Sequence, residues 1–252
     1  MRIAPISCIR PRRGQVVEAL GAAPCDAAEL DALVKDGPYE LDASRSLYLC
    51  EVTEGERSQT QLVCGCELAG LGGSTADDAH VGSEGPHGSA EGETAPRDAH
   101  ADAGQSCGMT ADATDPSKAH TDVAALGAAS RLSALGAQDK PVVIAYPGNV
   151  AIDIILGAAK AATPLYALEG DAVRLVVWRV SRPEAVEALE AALSGTSGCI
   201  AAGQELASTL SARLGAVAGN APLPLASLVS EAQLAGGAPL ELPHGLFIRR
   251  IP

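Results

Sequence analysis

Aromatic side chains are scarce in this chain: one Trp, one Phe and four Tyr among 252 residues. A core must therefore be assembled from Ala, Leu, Val and Ile, which the 47% hydrophobic content supplies. Basic residues are outnumbered as well, 18 Lys and Arg against 31 Asp and Glu, for a net charge of −13. Few rings for base stacking and no excess of cations argue together against a nucleic-acid partner. No apolar run approaches the ~20 residues of a membrane-spanning helix, so no membrane partner is expected. The opening Met1-Arg2-Ile3-Ala4-Pro5 lacks the apolar stretch of a secretion signal, and the seven Cys are odd in number and irregularly spaced. Reduced thiols in a cytoplasmic protein are the expectation. Walker, paired C-x-x-C, H-E-x-x-H, G-x-S-x-G and G-x-G-x-x-G patterns are missing, which removes support for dinucleotide-binding, zinc-protease and serine-hydrolase classes.

What the chain does contain divides it in three. Residues 72–122 are built from Gly, Ala, Ser, Thr, Asp and Glu, with Val81, Cys107 and Met109 as their few apolar side chains. This stretch carries ten acidic residues against Arg97 and Lys118, a net charge of −8. It cannot bury enough apolar surface to offset its ordering entropy, so a disordered acidic insertion is expected. Four of the five His lie within it, at 80, 87, 100 and 120, and Asp78-Ala79-His80 recurs as Asp98-Ala99-His100. His and Asp can ligate metals, but the close spacing of a metal motif is absent and no metal site is assigned.

The flanks, 1–71 and 123–252, carry ordinary folding signals and are read as two parts of one domain. Asp26-Ala27-Ala28-Glu29 resembles a capping box opening a helix that Gly37-Pro38 stops. Two apolar runs, 46–53 and 60–68, joined by the polar 54–59, predict a β-hairpin, with Cys64 and Cys66 on one face as small core residues. Further along, the pattern predicts a helix over 124–135, a strand over 141–146 and a helix capped by Asn149 running to about 162. A strand follows over 172–180, with Arg174, Val176 and Trp178 on one face and Val173, Leu175 and Val177 on the other. Pro183 then opens a helix, 198–202 is a strand, 204–218 a helix and 245–251 a closing strand. Alternating strands and helices predict a mixed α/β (α+β) body.

Several segments, in order, resemble a bacterial and archaeal family, the domain of unknown function 1015 family. They are Ile9-Arg10-Pro11, Ala22-Ala23-Pro24-Cys25-Asp26 where the family has Pro-Tyr-Asp, and Ser46 to Thr53 with Ser58-Gln59-Thr60. Ile144-Ala145-Tyr146-Pro147, Pro164-Leu165-Tyr166, Val177-Trp178-Arg179-Val180 and Leu242-Pro243-His244-Gly245-Leu246-Phe247-Ile248 continue the match. It covers about 1–70 and 140–252. The family's signature, a strand leading through Asp-Gly-His-His-Arg into a helix, is similar to the phosphate-binding turn of the ParB and sulfiredoxin superfamily, one branch of which phosphorylates free serine. The resemblance implies a single ParB/sulfiredoxin-like domain interrupted by the acidic insertion. It also implies nucleotide-dependent chemistry on a small metabolite, with ATP or ADP and Mg²⁺ as cofactors and a tie to serine metabolism.

The chain departs from that signature where it matters. The position reads Ile200-Ala201-Ala202-Gly203-Gln204-Glu205-Leu206, so Gly203 alone survives, and Gln204, Glu205 and Leu206 replace the two His and the Arg. Arg213 stands seven residues on, ~10 Å along a helix, too far to supply the missing fork. The expected reading is a catalytically impaired member acting as a metabolite- or partner-binding protein. The alternative is a nucleotide-dependent kinase or hydrolase acting on serine or a related metabolite. Candidate phosphate-binding residues are Gly203, Gln204, Glu205, Arg10 and Asp26. Four of them have a plainer role: Gly203 opens a helix, Glu205 and Asp26 cap helix N-termini, and Arg10, with Arg12 and Arg13, sits in a solvated loop. His244 has no visible carboxylate or thiol partner in sequence. A cation reaching the 203–206 turn from Arg10, Arg12, Arg13 or Arg179 would favour the enzyme.

Overall fold

The computed structural model describes residues 1–22, 24–73, 127–170, 173–215, 222–235 and 237–251. The acidic segment, with its four His and Cys107, lies outside these residues except for Gly72 and Gly73. In chain order the described strands are β1 (Ile3–Ala4), β2 (Ile6–Pro11), β3 (Tyr39–Glu54), β4 (Arg57–Cys66), β5 (Gly72–Gly73), β6 (Ala137–Gln138), β7 (Val142–Tyr146), β8 (Tyr166–Glu169), β9 (Val173–Val180), β10 (Cys199–Ala202), β11 (Leu225–Ser230) and β12 (Arg249–Arg250). The helices are α1 (Val16–Ala22), α2 (Ala27–Lys35), α3 (Ala128–Leu135), α4 (Val150–Lys160), α5 (Pro183–Ser194), α6 (Gln204–Gly215) and the single turn α7 (Glu231–Leu234).

Ten of these strands form one mixed sheet in the order β5-β10-β7-β11-β4-β3-β9-β8, with β1 against β4 and β2 against β3. The pairs β10–β5 and β11–β7 are parallel and the others antiparallel. The fold is mixed α+β, and both flanks of the acidic segment supply its central strands.

Alternation along the strands sorts the core into two layers. Leu47 and Leu49 of β3 with Val176, Trp178 and Val180 of β9 face α4, α5 and α6, where Ile152, Leu156, Leu189, Leu193, Leu206 and Leu210 meet them. Tyr48, Cys50 and Val52 with Leu175 and Val177 face the other way. Among the described residues no long helix covers that second face. The chain from Leu240 to Phe247 is laid across it as an irregular strap, with the Phe247 ring 4.8 Å from that of Tyr48 and tilted 41° to it. Buried glutamines supply the hydrogen bonds that an irregular segment cannot give itself. Gln61 Nε2 donates to the Leu240 carbonyl at 2.6 Å, and the Leu240 amide donates to Gln59 Oε1 at 2.7 Å.

Several boundaries differ from the sequence reading. The hairpin strands run closer to the turn than the polar link suggests: Glu54 pairs with Arg57, leaving Gly55-Glu56 as the connection. β3 begins at Tyr39 rather than 46, because its polar half pairs with β2 and buries Asp42 among cations. The expected closing strand over 245–251 is reduced to Arg249–Arg250 paired with β6. Gly245 sits in a left-handed turn and Ile248 makes one bridge to Ile9. Gly72–Gly73 pair in parallel with β10, so the sheet extends two residues past the boundary that composition marks at 71. Ladder hydrogen bonds need no apolar side chain.

Candidate functional site

The β10-to-α6 turn is the position the sequence singles out. The register of β10 against β7 shifts between Ile200 and Ala202, and Gly203 then takes φ +85° before α6 begins. Only Gly adopts that conformation without strain. The Gly203 carbonyl accepts the first helical bond, from the Ala207 amide at 2.9 Å. Leu206, Ala207 and Leu210 anchor α6 in the core, which leaves Gln204 and Glu205 exposed on its first turn.

Gly203 opens onto a hollow of about 120 Å³ walled by Val143, Leu206, Leu240 and Leu242. Its ionisable lining groups are Lys140 and Glu241, paired at 2.8 Å on the rim. Gln61 also lines it, but its amide is spent on Leu240 and on the Ser227 hydroxyl, which donates to Gln61 Oε1 at 2.6 Å.

The other sequence candidates lie elsewhere. Arg10, on β2, pairs with the first half of β3 and is not among the residues that line the hollow. It is not a solvated loop residue but a buried one. Its guanidinium meets Glu40 at 2.6 Å and Asp42 Oδ2 at 3.2 Å, and donates to the Tyr166 hydroxyl at 2.9 Å. Asp26 is the N-cap of α2, its Oδ1 accepting from the Glu29 amide at 2.8 Å, while Glu29 Oε2 accepts from the Cys25 amide and thiol. Arg12 is tied to the carbonyls of Gly37 and Val34. Arg179 is tied to Asp42, Ser46 and Ser44. Among the described residues, the hollow beside Gly203 is reached by Lys140 and by none of the four arginines considered from sequence.

Two charged centres escaped sequence reading. Asp42 receives the Tyr48 hydroxyl at 2.9 Å, the Ser44 hydroxyl at 2.7 Å, Arg10 and Arg179. Burial pushes its carboxyl up, but these donors and cations outweigh burial and hold it below the ordinary carboxylate range. Asp139, almost fully buried, takes Arg131 on Oδ2 and faces His244 Nδ1 at 3.4 Å. There too burial raises the carboxyl, and the His244 and Arg131 contacts overcome it. His244 therefore has the carboxylate partner that no nearby residue in sequence announced.

Four of the described thiols are set against reactivity. Burial pushes Cys8 up to about 11 and Cys66 up to about 12, and raises Cys50 and Cys64 further. Among the described residues no three His, Cys, Asp or Glu side chains converge as a metal-ligand set, and no helix is long and apolar enough to cross a membrane.

The nucleotide and Mg²⁺ that the family resemblance implies do not fit the residues around Gly203. The hollow lies well below the ~300 Å³ at which ligand pockets ordinarily begin. Glu241 lines it and Glu205 stands beside its turn, each opposing a polyphosphate. No family model, no curated protein and no solved structure matches this chain.

Proposed function

We propose that this chain is a non-catalytic protein that binds a small zwitterionic metabolite, a free amino acid about the size of serine, beside Gly203. The observation that carries the reading is the Lys140–Glu241 ion pair, 2.8 Å long, on the rim of a small apolar hollow at the start of α6. A ligand carboxylate is drawn to Lys140 and to the free amides of the first turn of α6, and a ligand ammonium to Glu241. Binding then exchanges one rim ion pair for two charge-assisted contacts. Val143, Leu206 and Leu242 take the apolar part of the ligand.

Acid–base or phosphoryl chemistry has little support. The strongest buried ionisable groups hold one another: Asp42 with Arg10 and Arg179, and Asp139 with Arg131. The family resemblance then bears on the ancestry of the scaffold, and a serine-directed kinase is the competing reading. Calorimetric titration with L-serine and other small amino acids separates them, followed by incubation with L-serine, ATP and Mg²⁺. The expected result is saturable heat that Lys140→Ala abolishes, with no phosphorylated product. No heat at millimolar amino acid, or a phosphorylated product, contradicts the proposal.

A further inference from the structure

A second concavity, of about 290 Å³, lies where β2, the middle of β3 and the last described residues meet. Ser7, Cys8, Arg45, Pro222, Arg249 and Arg250 line it, and among the described residues no carboxylate does. The Arg250 charge is compensated by Asp31. The charges of Arg45 and Arg249 are not: neither takes part in an ion pair among the described residues, and Arg249 Nη1 is buried with no hydrogen-bond partner there. The Cys8 thiol cannot compensate them either. Its Sγ donates to the Tyr48 hydroxyl at 3.5 Å, and burial keeps it protonated.

The placement of Arg249 is built into the fold. β12 fixes its backbone against Gln138, and Gly65 on β4 leaves the room its side chain occupies: a Cβ there would stand 3.2 Å from Arg249 Nη1. Burial weakens the hold of Arg249 on its proton, and the nearby Arg45 acts in the same direction. Arg249 is thus half-buried beside the exposed Arg45, and among the described residues neither has an anion paired with it. Such a charge is costly to desolvate unless a partner arrives from outside.

We propose that this hollow is an anion site for a small phosphate-bearing metabolite, held between Arg45 and Arg249. Two uncompensated guanidinium groups suit a dianion. A phosphate monoester carries about −1.5 to −2 at neutral pH with three acceptor oxygens, enough for two planar forks. The volume is just below the ~300–1,000 Å³ of ordinary ligand pockets, which suits a phosphorylated small molecule rather than a nucleotide. This site is separate from the Gly203 hollow and does not depend on it.

The test is titration of the full chain with inorganic phosphate and with glycerol 3-phosphate at constant ionic strength, with succinate as the dicarboxylate control. Saturable phosphate binding is expected, weakened about tenfold or more by Arg45→Glu, a change at an exposed position, and by Arg249→Met. Lys140→Ala should leave it unchanged. Without phosphate, Arg249→Met should melt at the same temperature as the unchanged protein or higher, because it removes a half-buried charge that has no ion-pair partner among the described residues. Absence of saturable phosphate binding, an affinity left unchanged by both arginine substitutions, or succinate binding as tight as phosphate overturns the proposal. A lowered melting temperature of phosphate-free Arg249→Met also overturns it, since the guanidinium would then have an internal role.

Discussion

Asp139 holds the Arg131 guanidinium on a single carboxylate oxygen, with Oδ2 2.9 Å from Nε and 2.6 Å from Nη2, and both side chains are almost fully buried. The pair ties α3 to the segment between β6 and β7. The Gly245 amide donates to the Asp139 carbonyl at 3.2 Å, so the strap is tied there as well. Removing Asp139 takes away the carboxylate that the buried Arg131 guanidinium faces. Asp139→Ala should therefore cost about 3–5 kcal/mol in urea unfolding, whereas replacing both partners with apolar residues should recover much of it. Equal losses in the single and double variants would show that the pair is not the source of the cost.

Acid should destabilise the protein through Asp42 and Asp139. Both carboxyls are held below the ordinary range in the folded state. The unfolded chain, with values near ~3.9, takes up protons first as the pH falls. The stabilisation is thus complete above about pH 5 and is lost as the pH drops through the folded values. Urea midpoints measured from pH 7 to 3 should fall steeply below ~pH 4, and Asp42→Asn should flatten that limb. A slope unchanged by Asp42→Asn would contradict the assignment.

Two glycines should respond differently to alanine. Gly245 has φ +76°, and a Cβ there would lie 2.6 Å from the Tyr39 hydroxyl, which donates to the Ala19 carbonyl. Gly203 has φ +85°, but its nearest contact would be Val142 Cα at 3.6 Å. Gly203→Ala should cost only the backbone strain, about 1–2 kcal/mol, and Gly245→Ala should cost more because Tyr39 must also move. Thermal melts of the two variants give the order, and the reverse order would mean that the strap yields more easily than its packing indicates.

Thiol labelling should follow burial. Cys50 and Cys64 are fully buried and their thiols are pushed far up, while Cys199 is half-exposed. Native protein treated with N-ethylmaleimide at pH 8 and mapped by mass spectrometry should be modified at Cys199 well before Cys50 or Cys64. Uniform modification would show that the sheet opens on the labelling timescale.

Local signals were legible in sequence. Asp26 and Asn149 cap helices as their side chains suggest, because a cap needs only the next three residues. The alternation of Val173 to Val180 sorted that strand's two faces correctly. Long-range pairings were not legible. β11 lies mid-sheet between β7 and β4, yet Leu225–Ser230 has no strong strand pattern. Ser227 is tolerated there because Gln61, one strand away, accepts a hydrogen bond from its hydroxyl. Gly203 could be read as a turn, but the ion pair beside it joins residues 101 apart, and His244 meets Asp139 across 105. Arg10 looked like a loop cation because Glu40, Asp42 and Tyr166 reach it only through the pairing of β2 with β3 and of β8 with β9.

The most direct test of the binding account is residue-resolved. Amide chemical shifts of the ¹⁵N-labelled protein are followed as L-serine is added. Saturable shifts are expected at 202–206, at 140–143 and at 239–242, and they should vanish in Lys140→Ala. Shifts absent from these three segments, or equally large in Lys140→Ala, would contradict the claim that the Gly203 hollow is a binding site.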